Sequence, residues 1–127
     1  MAQQPYELDA IRRQVVLESL QEVCSYRGWM LLAAHVRTNH IHVVETSHSK
    51  PEQVMSTMKA YSSRALNERR LDDPRRHRWA RHGSTRYLRT RDAVRASIQY
   101  VIGEKGELMA VFESRPLADA QGSVICS

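Results

Sequence analysis

A chain of 127 residues, 42% hydrophobic and 26% charged, is long enough to bury one core but not two. No apolar stretch approaches the roughly 20 residues of a membrane-spanning helix, and the polar start Met1-Ala2-Gln3-Gln4 is no signal peptide, so the expectation is a cytoplasmic protein without a membrane partner. Lys and Arg number 19 against 14 Asp and Glu, a net charge of +5, which points to a polyanion as the partner.

From Leu8 to Arg27 the apolar residues Leu8, Ile11, Val15, Val16, Leu20, Val23 and Cys24 recur at helical spacing, and Gly28 can stop the helix. Two strands are predicted next, Trp29 to Arg37 and His40 to Thr46, with Thr38-Asn39 supplying the turn between them. The motif His40-Ile41-His42 thus falls on a strand, where residues two apart project from the same face. Two imidazoles on one side of a rigid ladder make half of a metal site. They can equally be polar groups satisfied on a half-exposed strand, and spacing alone leaves both readings open. His35, in the strand before the turn, reads as structural.

Pro51 and Glu52 open a second helix that runs to about Arg70, with Val54, Met58, Tyr61 and Ala65 as its buried stripe. Tyr61 is thereby assigned to the core. Leu71 to Gly83 reads as a long surface loop containing Arg75, Arg76, Arg78 and Arg81. The chain has 16 Arg against three Lys, and 11 of those Arg fall between Arg64 and Arg95. Arginine's planar fork matches phosphate oxygens two at a time and stacks on bases, which a lysine ammonium does not do. His48, His77 and His82 lie in polar segments, and nothing singles one of them out.

Thr85 to Arg89 alternates as a strand, and Thr90 can cap a third helix from Arg91 to about Ile102, ended or bent by Gly103 or Gly106. Its inward stripe is Val94, Ile98, Val101 and Ile102. Tyr100 falls at the border of that stripe, and Glu104, four residues on, shares its face. Leu108 to Phe112 is a short apolar piece suited to covering the core. Residues 113–127 are expected to be a poorly ordered tail, leaving 1–112 as the domain. Cys24 and Cys126 are too few and too far apart for a disulfide framework or a zinc knuckle.

If the third helix packs near the hairpin, His40, His42 and Glu104 can hold a divalent ion through two nitrogens and one oxygen, with Tyr100 facing a phosphate bound there. A free phenol titrates near pH 10, so attack on phosphorus at neutral pH needs such help. The order of elements with His40-Ile41-His42, an Arg-rich loop with Trp79, and Tyr100-Val101-Ile102-Gly103-Glu104 resembles the single-tyrosine HUH transposases, of the insertion-sequence type and the REP-associated type. The resemblance covers roughly Leu8 to Phe112.

That resemblance implies an α+β fold: a ferredoxin-like antiparallel sheet with helices packed on one face. Only seven residues precede Leu8, so the usual first strand is expected to be missing or replaced. It also implies single-stranded or hairpin DNA as substrate and Mg²⁺ or Mn²⁺ at His40 and His42. Tyr100 would be the nucleophile, leaving a 5′-phosphotyrosine and a free 3′-hydroxyl, in a homodimer that commonly pairs the histidines of one subunit with the tyrosine of the other. Glu104 stands where insertion-sequence members commonly have a Gln ligand. The DNA contacts favoured on this basis are Arg75, Arg76, Arg78, Arg81 and Arg86, with Trp79 as a stacking platform or, equally, a loop anchor. The leading reading is a metal-dependent single-stranded DNA endonuclease and strand transferase. Its rivals are a catalytically inactive nucleic-acid-binding derivative and a small metal-dependent hydrolase of a phosphorylated metabolite.

Overall fold

A computed structural model describes residues 5–79, 83–103, 109–114 and 122–126. Helix α1 (Ala10–Arg27) starts where the Asp9 carboxylate accepts the Arg12 N–H, and it ends at Gly28, which takes the left-handed conformation (φ 71°) that a Cβ disfavours. Strands β1 (Met30–Val36) and β2 (Ile41–Thr46) follow, then α2 (Pro51–Glu68), β3 (Ser84–Leu88) and α3 (Arg91–Ile102). The Thr90 hydroxyl caps α3 by accepting the Ala93 N–H at 3.1 Å. Two short strands, β4 (Ala110–Glu113) and β5 (Gly122–Cys126), complete the fold.

The strands make one antiparallel sheet in the order β3-β5-β2-β1-β4, so the α+β architecture is as expected. Among the described residues no strand precedes α1. A ferredoxin-like β-α-β-β-α-β sheet places its first strand between its third and fourth; here that slot, between β2 and β3, is filled by β5. Within the expected poorly ordered tail of 113–127, Gly122–Cys126 is an internal strand, with Ser123 and Ile125 buried, which corrects the expectation there; residues 115–121 and 127 lie outside the described residues. Gly122 lets the strand approach closely, because a Cβ there would come within 2.3 Å of the Glu45 carbonyl oxygen.

Helices α1 and α2 cover one face through Val16, Leu20, Val23, Val54, Met58 and Leu66, packed on Ala34, Val36, Val43 and Ile125. The expectation of helices on one face holds for these two. Helix α3 covers the opposite face, where Val94, Ile98 and Val101 pack on Leu32, Ala33, Val44 and Leu88. The reason is the near-continuous apolar run of β1, buried on both sides in the manner of a central strand. A bulge at Leu32 sets the parity: Leu31 pairs with Glu45 and Ala33 with the very next residue, Val44. From Ala33 onward the odd residues of β1 face α3, and with them His35 and its cross-strand partner His42.

Candidate active site

The hairpin closes tightly, with the Arg37 N–H donating to the His40 carbonyl at 2.9 Å across Thr38-Asn39. His40 and His42, both half-buried, bring their ring centroids to 4.8 Å. The Asn39 side-chain oxygen lies 2.7 Å from His40 Nδ1, which assigns the proton to Nδ1 and the lone pair to Nε2. In sequence Asn39 carries only turn chemistry; its role in orienting His40 depends on a contact that spacing does not reveal.

His35 is fully buried beside this pair. Its Nε2 accepts the Met109 N–H at 3.1 Å, and its Nδ1 therefore donates to the Val101 carbonyl at 3.2 Å. One imidazole thus ties β1 both to the last turn of α3 and to the residue preceding β4. The structural reading of His35 stands, with this specific task.

Tyr100 immediately precedes Val101. While Val101, Ile98 and Val94 point into the sheet, Tyr100 lies at the helix margin, 65% exposed. Its ring stacks nearly parallel to that of His42, at 6.2 Å between centroids and 9° between planes. The histidine pair and the tyrosine therefore converge within one chain. Tyr61, assigned to the core from its place on the α2 stripe, is half-buried against the α1–α2 core with Arg64 over its ring.

Glu104 and Arg81 lie outside the described residues. Among the described residues no group of three or more His, Cys, Asp or Glu side chains is arranged to hold a metal. What His40 and His42 present is two imidazole nitrogens on a rigid ladder, one with its tautomer set by Asn39. That donor set fits part of the shell of a divalent cation, with oxygen donors needed for the rest.

The arginines divide sharply. Arg75 is exposed, its side chain 92% accessible and 3.5 Å from Asp73. Arg76 lies 5.2 Å over the Tyr6 ring and donates to the His77 carbonyl. Arg86 is exposed on β3, with Nη2 3.5 Å from Ser97 Oγ on α3. Arg78, expected at the DNA surface, is instead structural: its side chain is 2% exposed, paired with Asp72 at 3.4 Å and donating to Asn67 at 2.7 Å. Asp72 gathers Arg12 at 3.2 Å and the Tyr6 hydroxyl at 2.6 Å as well. Burial pushes the Asp72 carboxyl up, but the hydrogen bonds from Tyr6 and Arg12 and the charges of Arg12 and Arg78 outweigh it and hold it below the ordinary aspartate range. Trp79 is an anchor rather than a stacking platform, since its indole N–H donates to Ser63 Oγ at 2.7 Å and its ring packs on the α1–α2 core.

Residues 7–99 match the family of IS200-like transposases, a span that takes in His40, His42 and α3 up to the residue before Tyr100. No curated protein and no solved structure matches the chain. No helix among the described residues is long and apolar enough to cross a membrane. Because the family match extends over well more than half of its length, the chain belongs to the IS200-like transposases.

Proposed function

We propose that this protein cleaves and rejoins single-stranded DNA through a covalent 5′-phosphotyrosine on Tyr100, with Mg²⁺ or Mn²⁺ held by His40 and His42. The observation that carries the reading is the stacking of the Tyr100 ring on His42 within one chain, which brings a hydroxyl nucleophile to the paired imidazoles. A phosphate at that junction meets the nucleophile at short range, and orientation of this kind is a large part of any rate gain.

The phenol oxygen of Tyr100 forms a bond to phosphorus as the bond from phosphorus to the 3′-oxygen breaks. The phenol proton passes to water, to which Tyr100 is well exposed, and the departing 3′-oxygen takes up a proton to become a hydroxyl. A divalent cation, when bound, supplies Lewis-acid neutralisation of the charge on the non-bridging oxygens. The chain's own contribution is positional: Asn39 orients His40, and His35 pins the helix end that carries Tyr100. The phosphotyrosine retains the energy of the broken ester, so a 3′-hydroxyl can reverse the step and join strands. Since one chain brings both parts together, a homodimer would unite two complete sites rather than exchange tyrosines.

The test is incubation with Mn²⁺ or Mg²⁺ and a hairpin-bearing oligonucleotide, followed by intact mass measurement. A covalent adduct is expected with the unaltered chain, absent in Tyr100→Phe and reduced about a hundredfold or more in His42→Ala. Salt-sensitive binding with no adduct would identify a non-catalytic binder instead, and no binding at low salt would remove DNA altogether.

A further inference from the structure

Beside Tyr100, between α3 and the β3–β5 edge of the sheet, lies an open cleft of about 620 Å³. Its size is that of small-molecule sites, which run roughly 300–1,000 Å³. The walls combine apolar surface from Ala96, Val124 and Cys126 with hydroxyls from Ser84 and Ser97. Arg86, whose guanidinium reaches Ser97, contributes the positive charge, and none of the described residues lining the cleft carries a carboxylate.

Those features together describe an occupant with a flat apolar body, a hydrogen-bonding edge and a neighbouring negative charge. A nucleotide has all three: the faces of its base stack on apolar groups, its edge bonds to hydroxyls, and its phosphate suits an arginine fork. The position of the cleft narrows the choice further. Tyr100 is itself one of its walls, so a strand whose phosphate reaches the phenol must place the sugar and base of an adjoining nucleotide at the cleft mouth. Nothing about Arg86 or Ser97 requires this in sequence terms; β5, which supplies Val124 and Cys126, is the element that completes the wall.

We infer that this cleft receives the base of the nucleotide adjoining the scissile phosphate and discriminates its identity, making Ala96 and Ser97 determinants of target sequence while Arg86 holds the neighbouring phosphate. The inference rests on the DNA-cleavage reading of the site. It assigns to protein side chains a sequence preference that phosphate contacts by surface arginines cannot provide.

Ala96 is an exposed residue of α3, so Ala96→Leu fills the cleft while keeping a good helix former on the surface. The chain, Ala96→Leu and Arg86→Ala are each used to select from a random pool of single-stranded oligonucleotides in EDTA, where binding is read without cleavage, and helix content is checked by circular dichroism. The unaltered chain is expected to enrich one base at one position by about tenfold, the order that a good base-edge contact provides. Ala96→Leu should erase that preference while a homopolymer still binds with an unchanged salt dependence, and Arg86→Ala should reduce the salt dependence by about one phosphate contact. A folded Ala96→Leu protein that keeps the base preference would overturn the inference, as would salt-sensitive binding by the unaltered chain with no base preference; both leave the DNA reading in place. Failure of the unaltered chain to bind any strand at low salt would remove that reading, and the pocket with it.

Discussion

Replacing His35 with leucine removes two hydrogen bonds through one ring. The Val101 carbonyl belongs to a residue with no exposed surface, and stripping it of its donor leaves a buried acceptor at a cost of about 2 kcal/mol, within the usual range of 1–3. The Met109 N–H sits at a half-buried position where water can partly replace the imidazole, and its loss costs about 1 kcal/mol. The total of about 3 kcal/mol, set against the unfolding entropy of a domain of this size, corresponds to a fall in Tm of about 10 °C. Thermal melting followed by circular dichroism measures it. His35→Asn provides the internal comparison, because an asparagine amide stands near the level of Nδ1 and can still donate to Val101; it should recover about half of the loss. Below both melting transitions, the rate of adduct formation should fall about tenfold in His35→Leu while oligonucleotide binding holds, since Val101 is the immediate neighbour of Tyr100 and its release loosens the nucleophile. A change in Tm of less than about 2 °C in His35→Leu, or an Asn variant no better than the Leu variant, would refute this account of the clamp.

The arginine assignments separate stability from DNA affinity. Arg75→Ala and Arg86→Ala should each lower the salt slope of oligonucleotide binding by about one while leaving Tm almost unchanged. Arg78→Ala should do the reverse, destabilising by about 3 kcal/mol because it strands Asp72 beside a single remaining arginine, with the salt slope intact. The depressed Asp72 carboxyl adds a pH signature: its contribution is complete above the ordinary aspartate value of 3.8 and is lost as pH falls through the lower folded value, so urea stability should drop in that acid range and Asp72→Asn should flatten the drop. Glu45 runs the other way. It is fully buried, and burial raises its carboxyl above the ordinary 4.5 although hydrogen bonds from Ser123 and Ser47 oppose the shift. Its contribution is therefore present below 4.5 and lost as pH rises through the folded value, so Glu45→Gln should match the unaltered chain near pH 4 and exceed it in urea stability by a margin that widens toward pH 8.

Much of the secondary structure was legible because its causes are local. The Thr90 cap and the stripe Val94, Ile98, Val101 define α3 without reference to anything outside it, and Gly28 ends α1 for reasons contained in its own backbone. The pairing of His40 and His42 on one side of a strand follows from the two-residue period alone. Arg75 and Arg78, by contrast, are three residues apart in the same polar loop and look alike in sequence. One is solvated and the other buried because Asp72, Tyr6 and Asn67 converge around only the second.

The same distinction decides the site. Residue order by itself determined that a strand would carry two imidazoles side by side and that a capped helix would hold a phenol at the edge of its apolar stripe. Only the tertiary structure decided that these meet, because Tyr100 reaches His42 through the packing of α3 on the sheet face selected by the bulge at Leu32. It alone also decided that Gly122–Cys126 is a strand: five residues acquire that conformation from hydrogen bonds to β2 and β3, far away along the chain, and no local pattern records a partner that distant.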